Sequence, residues 1–205
     1  MLLTHSMLAR NIKQLRIIRT LLDNPIGSLT KYRIAKIVGC STPRVIQVIH
    51  KLEQQKLVAG TTVIDLNKLI DYYIKINTQK LKKYYYHLSN PMDFFKKIKL
   101  DYAFTTYIAE NIVNHHLFPN KFELYVSKKD IMAWVELLKD NALIGKGNLV
   151  LIVLEDDDVL KESKKIDNYN IISIPQLLID LKREGGVCIE AYNILLDKYV
   201  RQKRN

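Results

Sequence analysis

One stretch, Thr30 to Val58 (TKYRIAKIVGCSTPRVIQVIHKLEQQKLV), constrains this chain more than any other. Thr30 is a good N-cap, because its hydroxyl can accept from a free N–H of the first turn. The helix it opens, Lys31–Val38, carries Ile34, Ala35 and Val38 on one face. Ala35 is small where two helices must approach closely. Gly39 closes the helix at a place where left-handed backbone is usually needed. Ser41 is then the natural N-cap of a second helix, and Pro43 sits in its first turn, where a missing N–H costs little. Val45, Val48, Ile49 and Leu52 give that helix a buried stripe at helical spacing.

The stripe decides what is left outward: Thr42, Arg44, Ile46, Gln47, His50 and Lys51. Short polar, amide and basic side chains of this kind read base edges and phosphates in a major groove. Ser41 and Pro43 stand at the start of the same helix, and Lys31 and Arg33 flank it from the first. The expectation is a helix-turn-helix that binds DNA through Lys31, Arg33, Ser41, Thr42, Pro43, Arg44, Ile46, Gln47, His50 and Lys51. Within this set Gln47 and His50 are assigned to base edges, with Thr42 nearby. Lys31, Arg33, Arg44 and Lys51 are assigned to phosphates. The plain alternative is a helical hairpin in any α-rich domain, and the Ala-x-x-x-Gly spacing alone does not separate the two. Caps, apolar register and basic outer face together favour DNA.

The run VGCSTPRVIQVIHKLEQQKLV resembles the DNA-binding half of winged helix-turn-helix regulators. The resemblance implies a wing after the second helix. Lys56 departs from it, standing where that superfamily usually has Gly at the helix end, so the cap must be made another way. Leu57–Asp65 has the β-branched composition of a strand around Gly60, and no long basic tip is visible, so the wing is short.

Charge placement agrees. The chain has 205 residues and a formal net charge of +11, and residues 1–60 hold ten Lys and Arg against only Asp23 and Glu53. An evenly basic chain would suggest solubility alone, whereas this concentration marks one end as facing an anion. A hydrophobic content of 48% is ample for packed cores. The two cysteines, Cys40 and Cys188, lie far apart and support neither a disulfide framework nor a zinc site. No early apolar run is long enough for a membrane span, and Met1–Leu8 is too short and polar for a secretory signal, so a cytoplasmic protein is expected.

Along the rest of the chain, Met7–Asp23 reads as a helix with Ile12, Leu15, Ile18 and Leu22 on one side and Arg10, Lys13, Arg16 and Arg19 largely elsewhere. Leu66–Ile76 returns to helical spacing. KKYYYHL at Leu81–Leu88 is either a strand or a set of tyrosines that stack on single-stranded bases. Helices are expected from Asn90-Pro91 to about Lys99 and over Tyr102–Asn114. Beyond these, strands (Phe122–Val126, Leu149–Leu154, Ile171–Ile174) alternate with helices (Lys128–Lys139, Pro175–Glu184, Cys188–Gln202). The last helix is expected to turn Ile189, Tyr192, Leu195, Leu196 and Tyr199 inward. This pattern gives a small mixed α/β domain.

Two clusters invite chemistry. His115-His116 with Glu110 could suggest a metal, but adjacent helical histidines point about 100° apart. Glu155-Asp156-Asp157-Asp158 could suggest two-metal catalysis. A nucleotidyltransferase would need a Gly-Ser turn, a helix, then alternate acids along the next strand. Gly145–Asn148 lacks the Ser, and the acids lie past a strand end, so a solvated turn is expected. No catalytic residue, metal ligand or cofactor is assigned.

The run ISIPQLLIDLKREGGVCIEAYNILL resembles the end of AbiEi-type antitoxin regulators of type IV toxin–antitoxin systems, through Gln176, Leu177, Asp180, Leu181, Gly185, Gly186, Glu190 and Ala191. The resemblance implies a nucleotidyltransferase-like α/β domain without the catalytic motif, and a toxin as partner. The expected fold class is thus α/β (α+β), with a winged helix-turn-helix over residues 1–65 and a dimerisation or partner-binding domain over 66–205. The expected function is a non-enzymatic, sequence-specific regulator of transcription that binds double-stranded DNA as a homodimer, and the resemblance implies an antitoxin-type autorepressor. Two alternatives stand beside it: a nucleotidyltransferase- or nuclease-type enzyme that holds DNA with the winged helix, and a non-specific duplex-binding protein.

Overall fold

A computed structural model describes the backbone of residues 2–204 and the side chains of 11–203. The Arg10 side chain therefore lies outside the described residues. By contact the chain divides into two units, residues 1–78 with 196–205, and residues 79–195. The expected boundary after Asp65 falls inside the first unit.

The first unit runs α1 (Leu2–Asp23), α2 (Lys31–Val38), α3 (Thr42–Gln54), β1 (Val58–Ala59), β2 (Thr62–Val63) and α4 (Leu66–Ile76). Its core is Leu15, Ile17, Ile18, Leu21 and Leu22 from α1 with the apolar stripes of α2 and α3, all buried where the spacing places them. Leu69, Ile70 and Tyr73 of α4 are buried too. Arg19 corrects the sequence reading, since only 5% of it is exposed. It stands four residues after Leu15 and three before Leu22, on the buried stripe itself, where its long aliphatic stem can pack.

Caps set the two central helices. The Thr30 hydroxyl accepts from the Arg33 N–H at 3.2 Å. Gly39 takes the left-handed conformation (φ 65°), and Lys13 Nζ donates to the last carbonyl of α2, Val38 O, at 2.9 Å. Ser41 has the extended backbone of a cap, but its hydroxyl makes no capping hydrogen bond. At the end of α3, Lys56 adopts φ 57° and takes the left-handed place that a glycine would usually fill. The Lys56 N–H donates to Glu53 O at 2.8 Å and the Leu57 N–H to Leu52 O at 3.0 Å. A side chain is strained there, so Lys56→Gly is expected to raise stability by roughly 0.5–1 kcal/mol, the relief exceeding the extra unfolded-state entropy. Urea unfolding midpoints would show it, and a lower midpoint would contradict it.

The β1–β2 hairpin is short, pairing Val58 with Val63 and Ala59 with Thr62. Glu53 Oε1 accepts from the Gly60 N–H at 2.8 Å and holds its turn to the end of α3. The loop after α1 adds a third edge, with Ile26 bridging Thr62. Gly27 allows this approach, because a Cβ there would lie 2.2 Å from Thr62 Oγ1.

The second unit holds β3 (Lys83–His87), α5 (Pro91–Lys96), β4 (Ala103–Thr105), α6 (Thr106–Asn114), β5 (Phe122–Ser127) and α7 (Ile131–Lys139). There follow β6 (Leu143–Ile144), β7 (Leu149–Leu154), α8 (Asp158–Lys161), β8 (Lys164–Ile166), β9 (Tyr169–Ile171), α9 (Ile174–Glu184) and α10 (Cys188–Arg204), which from Leu196 on belongs to the first unit. One mixed sheet of seven strands runs in the order β6-β3-β7-β5-β4-β9-β8. β5 and β7 pair in parallel at its centre and are buried along their whole length, as wholly apolar or doubly covered strands should be. One face packs Phe104 into an aromatic cluster with Phe95 and Tyr102, which Trp134 of α7 joins. KKYYYHL forms β3, a strand between β6 and β7.

Five local readings are corrected. Ala103–Thr105 is a buried strand, not the first turn of a helix. α5 stops at Lys96 rather than Lys99, and Ile174 opens α9 rather than ending a strand. Residues 158–170, for which no element is expected from the sequence, contain α8 and a β8–β9 hairpin, turned by Asp167 and Asn168 at positive φ. Ile189 is exposed, because the inward stripe of α10 is Cys188, Ala191, Tyr192, Leu195 and Tyr199. The end of α10 returns to the first unit, where Tyr199 OH donates to Leu22 O at 2.9 Å and Lys203 Nζ to Asp23 O at 2.6 Å. No helix among the described residues is long and apolar enough to cross a membrane.

Candidate nucleic-acid interface

Because Val45, Val48, Ile49 and Leu52 are buried, α3 turns a continuous face to solvent. Ser41, Pro43, Ile46, Gln47, His50 and Lys51 are exposed on it, and Thr42 and Arg44 are half-exposed. Arg33 is exposed and Lys31 half-exposed at the start of α2. Arg44 Nη1 donates to Gln47 Oε1 at 2.6 Å, one turn along. Two further apolar side chains of α2, Tyr32 and Ile37, are exposed, and Lys36 lies 5.0 Å over the Tyr32 ring. No Asp or Glu occurs between Asp23 and Glu53, so the charge of this surface is unopposed within the segment. Burial raises the Cys40 thiol above its usual range, against the pull of Lys13 and Arg44. It is a packing residue at the turn rather than a reactive thiolate.

The second unit contains a polar cluster that the sequence reading missed. Register places Thr105 beside Glu123, and Tyr125, Ile152 and Lys83 in one row, all on the face of the sheet away from Phe104. Asp180 of α9 reaches the same face. Its Oδ2 accepts from Thr105 Oγ1 at 2.7 Å and Tyr125 OH at 3.0 Å, and its Oδ1 from Gln176 Nε2 at 2.9 Å. The Thr106 hydroxyl donates to Glu123 Oε2, and Lys121 Nζ lies 2.8 Å from Glu123 Oε1. Burial pushes the Asp180 carboxyl up, with Thr105, Arg183, Gln176 and Tyr125 pulling it back. Thr106 sits at φ 48°, costly for a β-branched residue. Thr105, Thr106, Glu123, Tyr125 and Asp180 line a cavity of about 180 Å³ with Arg183. The available signal was alternation: Glu123-x-Tyr125 on the strand after a Thr-Thr turn and a helix. Reading Tyr102–Asn114 as one helix hid that turn.

The acids singled out earlier lie elsewhere. Glu155 pairs with Lys128 at 2.8 Å, Asp157 with Lys129 at 3.1 Å and Asp158 with Lys161 at 3.4 Å. A hydrogen bond from Ser127 and the nearby Lys129 hold the Asp157 carboxyl below its usual range. Glu110 accepts from Asn114 Nδ2 and the Leu117 N–H, and His116 faces Glu190 at 3.9 Å. Among the described residues no three His, Cys, Asp or Glu are grouped to hold a metal ion.

The chain matches no protein-family model, and no curated protein or solved structure matches it. The chemistry of these two surfaces is what bears on function.

Proposed function

We propose that this protein is a sequence-specific double-stranded-DNA-binding regulator of transcription. Its first unit would be a winged helix-turn-helix, with α3 in the major groove and β1–β2 as a short wing. The observation that carries this is the outward face of α3, where buried apolar positions leave amide, imidazole, hydroxyl and basic groups around an exposed Ile46, with no acid in the segment. Phosphates would be held by Lys31, Arg33 and Lys51, and Ser41, Thr42 and Pro43 would bring the helix N-terminus to the backbone. An antitoxin-type autorepressor with a partner toxin is the finer form of this proposal, supported by the sequence resemblance at α9–α10. A footprint of the purified protein on its own upstream DNA tests it. Protection of an inverted repeat is expected, and uniform weak protection would favour non-specific duplex binding.

Specific sites usually take two such modules related by a two-fold axis. A homodimer held by residues after Leu66 keeps the two basic surfaces from close contact. Leu143 and Ile144, 72% and 86% exposed on the edge strand β6, offer apolar surface and unpaired backbone for it. The double substitution Leu143→Asp, Ile144→Asp is expected to make a dimeric full-length chain monomeric in sedimentation, and an unchanged dimer would place the interface elsewhere.

One arrangement bears on the enzyme as the second reading. Thr105-Thr106, α6 and then Glu123-x-Tyr125 follow the order of a nucleotidyltransferase turn, helix and alternating strand. Tyr125 stands where a second acid would be, and Ile152 occupies the adjoining row position on β7. This supports a nucleotidyltransferase-like domain without the catalytic motif. Mg²⁺- or Mn²⁺-dependent nucleotide transfer, lost in Glu123→Gln, would support the enzyme instead.

A further inference from the structure

We infer that Ile46 reads thymine, its side chain packing on the C5-methyl group in the major groove. This deepens the proposed function and rests on α3 being a DNA-recognition helix. Of the Val, Ile and Leu residues of α3, Val45, Val48, Ile49 and Leu52 are buried. The remaining one, Ile46, is 47% exposed. Folding gives little reason for it, because an exposed helix position favours Ala or a long unbranched chain over a β-branched one.

A single exposed aliphatic residue is ordinary on a protein surface. What distinguishes Ile46 is its place. Thr42, Ile46 and His50 follow one another at four-residue intervals, so they form one ridge along α3. Ile46 is thus bracketed by a hydroxyl and an imidazole that both face the duplex in the proposed docking. An aliphatic group there has one complementary feature. It neither donates nor accepts, so a phosphate gives it nothing. Every base edge in the major groove carries hydrogen-bonding atoms, and thymine alone adds an apolar group, the methyl at C5. Packed together, Ile46 and that methyl both leave water. Against a cytosine or purine edge the same side chain would cover polar atoms without satisfying them. A β-branched chain in a helix also keeps one preferred χ1 rotamer, so docking costs it little freedom. Tyr32 and Ile37 of α2 are exposed as well, and a protein partner that covers them with Ile46 is the competing reading.

The test uses the full-length chain and a duplex it enriches from a random pool. Each thymine of the site is replaced in turn by deoxyuridine, which removes the C5-methyl and keeps every hydrogen-bonding atom. One replacement is expected to weaken wild-type binding about fourfold, the worth of one buried methyl. In Ile46→Ala the same replacement is expected to change binding by less than about 1.5-fold, since the group that touched the methyl is gone. Thr42→Ser, which removes only the Thr42 methyl, is expected to leave the effect at about fourfold. The inference is overturned if the enriched site holds no thymine or is insensitive to every replacement. It is equally overturned if the effect persists in Ile46→Ala, or vanishes in Thr42→Ser. Should Ile46→Ala bind the enriched duplex as wild type does and change the oligomeric state in sedimentation, Ile46 belongs to a protein interface and the inference falls. If no sequence is enriched at all, the regulator proposal fails and this inference with it, whereas an enriched site that ignores deoxyuridine sinks the inference alone.

Discussion

Asp180→Ala is expected to lower stability by about 3 kcal/mol or more, whereas Asp180→Asn should be nearly neutral. Asp180 is 5% exposed and accepts from Thr105, Tyr125 and Gln176. Alanine leaves these buried donors without an acceptor and opens a void. Asparagine keeps one oxygen for Gln176, and the Thr105 and Tyr125 hydroxyls can turn to accept from its NH₂. The pH dependence separates the variants further. Burial raises the folded-state pKa of Asp180, so the folded chain binds this proton more tightly than the unfolded chain. Its contribution to stability is present below the ordinary carboxylate range of about 4 and is lost as pH rises through the raised pKa. Asp157, held low beside Ser127 and Lys129, acts in the opposite sense and loses its contribution in acid. The informative quantity is therefore the difference between wild type and Asp180→Asn in urea unfolding at several pH values. Wild type should lose stability relative to the variant as pH rises, and parallel curves would show that Asp180 is not the group responsible.

The triple variant Lys31→Ala, Arg33→Ala, Lys51→Ala is expected to bind duplex DNA about 10²–10³-fold more weakly near 0.1 M salt. Each neutralised phosphate adds about 0.9 to the slope of log K against log salt. Between 1 M and 0.1 M salt each such contact is thus worth roughly eightfold, and three multiply to this range. The salt slope should fall by about three with specific and random duplex alike. All three side chains are exposed or half-exposed, so the unfolding transition should stay within about 0.5 kcal/mol of wild type. An unchanged slope would place these residues outside the interface.

The first unit was largely legible because its cues are local. A Thr cap, a Gly stop, a Pro in a first turn and a repeating apolar stripe each act within a few residues, and α2 and α3 follow them. The stop at Lys56 was only half legible: the missing glycine was visible, but not that lysine would take the same backbone. Arg19 was misplaced because its charge was weighed above its position on the buried stripe. In the second unit the sequence hid what tertiary structure decides. Ala103–Thr105 is buried on both faces and too short to show a period, so it merged with the helix after it. The Thr105-Thr106 turn disappeared with it. Asp180 stood in the sequence only among the residues of the antitoxin-type resemblance, and only the approach of Thr105 and Tyr125 makes it a buried acceptor. The return of Tyr199 and Lys203 to the end of α1 links residues far apart in sequence and leaves no local trace. The spacing of Arg44 and Gln47 was visible, but their hydrogen bond was not.

The most direct test of α3 as a recognition helix is an anisotropy titration of the full-length chain on its best enriched duplex and on a scrambled duplex, at one salt concentration. Tighter binding to the enriched duplex by about 10³-fold or more is expected, with Gln47→Ala costing about 1–3 kcal/mol on that duplex alone. Equal affinity for the two duplexes, or an equal loss on both in Gln47→Ala, would contradict sequence-specific recognition by this helix.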